Sequence, residues 1–325
     1  MDFMSDHAFF HVMRDNIFHY NESLSNERYW TLLIVMSGVF DARNKNVIVD
    51  DIIDGSTGLV ALISPERLAI LQQLWGMSRG SLDSEASLRI VLKLFAELLN
   101  ANNCSWLASC YGKSPSELYY IELFNGWWAS DIVDYREGAN SKESEKIYYK
   151  YTKTHGVDPL TQLAVECVGT TRVHSRSELF TDEEWLDHPM RNEFLMPRYN
   201  VSERIYIIFN IDEKNESYFV VDREQGGEPF SREDLQLAYI ATAGLGALHH
   251  RLFFERGYLP PASKPLSPRE REVFSLLLRD VSEKEMAAQL GVSVNTVHQY
   301  ITSVYRVFKV RGRTALLSTL MNATQ

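Results

Sequence analysis

Residues 291–305, GVSVNTVHQYITSVY, carry Asn295, His298, Gln299, Thr302 and Ser303 at spacings that a helix brings to one side, with Arg306 just beyond. Amide, imidazole and hydroxyl groups on such a face can hydrogen-bond base edges. Gln299 suits the N6/N7 edge of adenine, and His298 can donate to or accept from a purine N7. The first two turns hold no Lys or Arg, so attraction to a phosphate backbone must come from around them. Arg306, Lys309, Arg311 and Arg313 can supply it, helped by helix N-termini and the hydroxyls of Ser282 and Thr296. The charge distribution agrees with this division. The chain carries a formal charge of −10, yet Lys264–Gln325 holds nine Lys or Arg against five Asp or Glu, a net +4 that leaves −14 on the preceding residues. A basic module on an acidic body fits a protein that meets nucleic acid at one end.

The elements needed to hold those side chains can be read around them. Ser267, Pro268 and Glu270 form a helix start, with a hydroxyl cap, a proline at the first helical position and a Glu to close a capping box. Ser282 and Glu285 repeat the device for EKEMAAQL. Gly291 supplies the backbone freedom of a tight turn, and Ser293 caps a third helix whose Val297, Ile301, Val304 and Phe308 fall on one buried face. Ala287 and Ala288 are small enough for a close helix crossing. Two helices joined by a short turn with glycine make a helix-turn-helix, whose second helix enters the major groove.

On the stretches LSPREREV, EKEMAAQLGVS, NTV and VRGRTAL, about 55 residues in all, this segment resembles the LuxR/GerE type of DNA-binding domain. The resemblance implies a four-helix module, double-stranded DNA as partner and dimerisation on the fourth helix. Members of that family often have Lys where this chain has His298, so the usual operator sequence does not carry over.

Upstream, RGYLPPASKPLSP at 256–268 holds four of the ten prolines and reads as a semi-rigid linker. Before it, SREDLQLAYIATAGLGALHHRLFFERG reads as one long helix ending at Gly257, with Gly244 and Gly246 inviting close packing inside the domain or across a dimer seam. ERIYIIFNID and ESYFVVDRE read as a hairpin, with Ile205, Ile207, Phe209 and Ile211 on one face. SWLASCY and ELYYIELF form a second pair around GKSPS, and SEASLRIVLKLFAELL is an amphipathic helix. The fold class is therefore an α+β region, an antiparallel sheet with flanking helices, whose order of elements resembles GAF/PAS-like sensor domains, followed by the all-α four-helix domain that the LuxR-type helix-turn-helix resemblance implies. The divisions are 1–80, an N-terminal extension or small sensor-like domain with the strand NVIV; 81–255, the sensor domain; 256–265, the linker; and 266–325, the DNA-binding domain.

For the input, NVIVDDIIDG offers acids but lacks the strand-helix alternation of a phosphoreceiver. The family resemblance also implies a quorum-sensing pocket with an aromatic stretch before Asp-Pro. YYKYTKTHGVDPL supplies Tyr149 and Asp158-Pro159, although Glu145 stands where the pocket's Trp is expected. Tyr120, Trp127, Tyr149 and Asp158 are the candidate ligand residues. Each also has a plain structural reading, since Asp-Pro is what a helix start needs and aromatics fill cores.

No phosphate loop, nucleophile elbow or His-Glu metal motif is present, and DGSTG is too short to stand for one, so an enzyme is not expected. Cys104, Cys110 and Cys167 lack metal or CxxC spacing and read as buried thiols, with neither metal nor cofactor. The longest apolar run, YWTLLIVMSGVF, is too short for a membrane span, and no leader precedes it, so a cytoplasmic location without membrane partners is expected. The expected function is sequence-specific transcriptional regulation by a homodimer that receives a small-molecule or protein signal and addresses RNA polymerase. The alternatives are a quorum-sensing-type receptor for a small acyl ligand and an adaptor with a degenerate DNA-binding domain.

Overall fold

The structure is a computed structural model and describes residues 63–80, 84–112, 121–135, 141–279 and 281–323. The expectations for Tyr120, for the strand NVIV and for DGSTG lie outside the described residues.

Six strands form one antiparallel sheet in the order β2-β3-β1-β6-β5-β4. They are β1 (Asn103–Tyr111), β2 (Ile121–Phe124), β3 (Trp127–Asp134), β4 (Arg172–Ser175), β5 (Val201–Asp212) and β6 (Asn215–Glu224). The β5-β6 hairpin falls where alternation predicts it, with Ile207 opposite Phe219 and Ile205 opposite Val221. The expected pairing around GKSPS is corrected. β1 pairs with β3 and β6, while β2 pairs with β3 across an Asn125-Gly126 turn. Both turn residues have positive φ, 46° and 81°, the geometry that matches the right-handed twist of a hairpin.

Helices cover both faces of the sheet, so β5 is not one-sided. Ile205 and Ile207 join a core with α1 (Pro65–Gly80), α2 (Ser84–Leu98), α7 (Arg232–Ala243) and α8 (Gly246–Glu255). Tyr206 and Ile208 bury the other way, against Leu160 and Ala164 of α4 (Pro159–Glu166). That second layer also holds α3 (Ser141–His155), α5 (Asp182–Asp187), a π-turn at Met190–Leu195 and α6 (Met196–Tyr199). A strand buried on both faces loses the simple period-two signal. Cys104 and Cys110 are buried free thiols, whereas Cys167, expected inside, is exposed at the end of α4.

The single long helix expected over 231–256 is two helices. Ser231 caps the first with a full capping box, and the break falls at Gly244-Leu245. Trp75 of α1 is the physical reason for the glycine. A Cβ on Gly244 would lie 2.0 Å from the indole Nε1, while one on Gly246 would meet Phe209 at an ordinary 3.5 Å. The close packing of Gly244 is thus within the domain.

The proline-rich stretch after α8 forms no helix, but it is packed. Leu259 and Leu266 are buried, Leu266 N–H donates to the Arg256 carbonyl at 2.9 Å, and Ser263 N–H donates to Val307 O at 3.0 Å. Gly257, at φ 75°, lets the strap double back, since a Cβ there would stand 2.7 Å from Lys264 O. The strap seats four terminal helices against the sheet domain: α9 (Pro268–Leu277), α10 (Glu283–Leu290), α11 (Val294–Val307) and α12 (Arg313–Ala323). Phe254 of α8 packs on Phe308 in a tilted arrangement with centroids 4.8 Å apart, and Phe274 joins them at 5.2 Å from Phe308. Lys45–Gln325 forms one compact unit; the other, Met1–Asn44, lies outside the described residues.

Candidate nucleic-acid interface

Serine caps begin three of the four helices of the terminal module. Ser267 and Glu270 exchange hydrogen bonds at α9, and Ser282 and Glu285 do so at α10. Ser293 Oγ accepts Thr296 N–H at 3.1 Å at α11. Gly291 ends α10 in the left-handed region at φ 65°, so the chain turns directly into α11. Val297, Ile301, Val304, Val307 and Phe308 are buried with Val273, Phe274, Met286 and Ala287, whereas Ala288 faces outward. The apolar stripe fixes the roll of α11, and the roll decides which polar groups remain outside.

Asn295, His298, Gln299, Thr302 and Arg306 are exposed in the intact chain, as are Lys309 and Arg311 just after α11. The sheet domain therefore leaves the polar face of α11 open. His298 Nδ1 lies 3.3 Å from the Glu283 carboxylate of α10, an interaction that orients the ring and places an acid beside it. Lys309 takes a left-handed backbone, φ 56°, turning the chain away as α11 ends.

The remaining sequence-derived candidates have internal partners. Ser303 is half-buried and donates to Glu270 Oε1 at 2.6 Å. Ser282 Oγ donates to Glu285 Oε2 at 2.7 Å, and Thr296 Oγ1 lies 2.8 Å from Ser293 Oγ. Arg313 Nε donates to Leu277 O at 2.7 Å and its Nη1 to Val281 O at 3.2 Å, tying the start of α12 to the end of α9.

A second set of interactions joins the module to the sheet. Asp131 of β3 is buried and accepts from Arg256 Nε at 2.7 Å and from Arg271 of α9. Burial alone would raise its carboxyl, but the two guanidinium charges hold it below the ordinary value. Arg256 also bonds Glu85 at 2.9 Å and lies 4.5 Å over the Trp106 ring.

The candidate ligand residues do not converge. Tyr149 is 60% exposed, with the Lys153 ammonium 5.2 Å over its ring. Trp127 packs with Leu123, Ala129 and Val165. Asp158 is buried and caps α4, its Oδ1 accepting Thr161 N–H at 3.0 Å. It also borders a narrow cleft with Phe180, Trp185, His188, Arg204 and Tyr206, with room for about one water molecule. Burial, then the nearby Asp158 charge, pushes the Tyr206 hydroxyl up to about 12. Burial lowers His188. Sequence reasoning missed these cleft partners because they come from separate elements and share no spacing. The neighbouring Tyr148, not Tyr149, points inward and donates to Asp158 Oδ2 at 3.4 Å.

The three capped helices α9, α10 and α11, with the polar face of α11 exposed, define a helix-turn-helix module. A family model described as bacterial regulatory proteins, luxR family, matches residues 264–320. Spore germination protein GerE of Bacillus subtilis (strain 168) is 42% identical over 60 residues, 18% of this chain and 81% of GerE. The chain belongs to the LuxR family of bacterial regulatory proteins and is a DNA-binding transcriptional regulator. Among solved structures, SdiA in complex with octanoyl-rac-glycerol has 14% identity and a TM-score of 0.39, covering 80% of this chain and 96% of that one. Escherichia coli SdiA has 16% identity and a TM-score of 0.38, covering 78% and 95%. The VqsR LBD domain from Pseudomonas aeruginosa has 11% identity and a TM-score of 0.32, covering 55% and 94%. Likenesses at these scores bear no weight on ligand or mechanism. No described helix is long and apolar enough to cross a membrane.

Proposed function

We propose that the chain reads a specific duplex sequence with the outer face of α11 and that a signal received in the sheet domain alters this reading. The observation that carries it is the exposure of Asn295, His298, Gln299 and Thr302 beside the sheet domain. In this reading those four address base edges, and Arg306, Lys309 and Arg311 address phosphates. Ser282 and Thr296 offer their helix N-termini, with the Ser282 hydroxyl engaged in its capping box and the Thr296 hydroxyl bonded to that of Ser293. Ser303 and Arg313 act through the fold, by holding α11 and α12. A single short helix reads few base pairs, so a homodimer on two half-sites is proposed, acting in the cytoplasm and contacting RNA polymerase.

A small molecule as the signal requires the narrow cleft beside Asp158 to widen, so that its aromatic walls, Phe180 and Trp185, take an apolar group. Selection of duplexes from a random pool by the full chain, followed by equilibrium binding and sedimentation, tests the reading. A selected palindromic sequence bound by two chains is expected. Equal affinity for selected and random duplexes would leave the adaptor alternative.

A further inference from the structure

Val294 opens α11 and is 45% exposed. Among the described residues of the terminal module, Val294 and Met321 are the large apolar side chains left in the open, while the others are buried or half-buried. Local folding does not ask for valine at this point. Ser293 performs the cap, Val297 and Ile301 supply the buried stripe, and β-branching weakens a helix slightly.

Its position is informative in another way. Val294 is the first helical residue, adjacent to Asn295 and one turn before His298, at the end of the helix that meets base edges in a helix-turn-helix. The apolar feature offered by the major groove is the 5-methyl of thymine. We propose that Val294 reads a thymine 5-methyl in each half-site, next to the base addressed by His298. The inference rests on α11 being the DNA-reading helix. It gives the uncharged first turn a role: packing of Val294 on the methyl excludes water from both, and the same packing is missing over cytosine, whose C5 carries hydrogen. Discrimination arises without charge, so it adds selectivity while leaving attraction to random DNA unchanged.

The test uses the full chain and its best selected duplex, with each thymine replaced singly by deoxyuridine, which keeps the pairing and removes the methyl. The wild-type chain should lose affinity about three- to fivefold at one thymine per half-site, the scale of one buried methyl. Val294→Ala should bind the thymine and deoxyuridine duplexes equally at that position, with unchanged affinity for random DNA and an unchanged unfolding midpoint. Indifference of the wild type at every thymine, or a Val294→Ala chain that keeps the deoxyuridine loss, overturns the proposal while leaving α11 as the reader. A chain that prefers no duplex at all overturns the assignment of α11 itself.

Discussion

Arg313 and Arg311 sit two residues apart and do different work. The Arg313 guanidinium satisfies the Leu277 and Val281 carbonyls, so its removal leaves acceptors at the end of α9 unpaired in a partly buried place. Arg313→Ala is expected to cost about 1–3 kcal/mol in denaturant unfolding, and Arg311→Ala, at the surface, less than about 0.5 kcal/mol. Equal costs would contradict the division between structural and phosphate-facing arginines. In the sheet domain His249 is fully buried between Ser217 Oγ at 2.7 Å and Thr242 Oγ1 at 3.4 Å. Burial, with the neighbouring His250, pushes its pKa from 6.5 to about 3. The folded value lies below the unfolded one, so the neutral ring's contribution is full above about 6.5 and is lost progressively as pH falls toward about 3. Between those values stability should fall by up to about 1.4 kcal/mol per pH unit from this group. His249→Gln should be less stable at pH 7 but show a shallower decline. Parallel declines in urea titrations at several pH values would remove His249 as the cause.

At the scale of elements, Gly244 is the position where helix propensity and packing disagree. Alanine would favour continuation of α7 into α8, but its Cβ would collide with the Trp75 indole. Gly244→Ala should displace that ring, red-shift the Trp75 part of the fluorescence relative to a Trp75→Phe background, and destabilise the fold by about 1–3 kcal/mol. Gly246→Ala, with ordinary packing at Phe209, should be neutral or stabilising. Stabilisation by both would mean that the break is incidental. This site also marks what is legible in one chain. The caps at Ser231, Ser267, Ser282 and Ser293 are readable because each depends on residues within one helical turn. The β5-β6 hairpin is readable for the same local reason. The break at Gly244 depends on Trp75, far away in sequence, and the order of β1, β2 and β3 depends on pairings that local alternation does not specify. The Asn125-Gly126 signal for the β2-β3 turn is present, but β2 is four residues long and offers little alternation beside it.

Across the whole molecule, the terminal module is seated rather than tethered. The proline strap folds back on itself, Phe254 packs into the module's own aromatic cluster, and Asp131 links β3 to α9 through Arg271. The prolines are visible in the sequence, but their packing is not, because the strap's partners are backbone groups and a buried carboxylate in other elements. Arg271→Gln removes the tie while leaving Arg256 on Asp131. Hydrogen exchange should then quicken at residues 256–267 and the start of α9, with the sheet unchanged. Arg269→Gln, which breaks a surface pair with Glu272, serves as the charge control. Unchanged exchange in Arg271→Gln would show that the aromatic packing alone seats the module.

In the proposed division of labour, uncharged side chains on α11 choose the sequence while cations beyond its first turns supply the attraction. The most direct measurement is the salt dependence of affinity for a selected and a random duplex, with wild-type chain, Gln299→Ala and Lys309→Ala. Gln299→Ala should lose about 1–3 kcal/mol on the selected duplex alone, with its salt slope intact. Lys309→Ala should weaken both duplexes alike and reduce the slope by about 0.9 for the one phosphate left without its cation. Equal losses on both duplexes for Gln299→Ala, or a wild-type chain that does not distinguish them, would contradict this division.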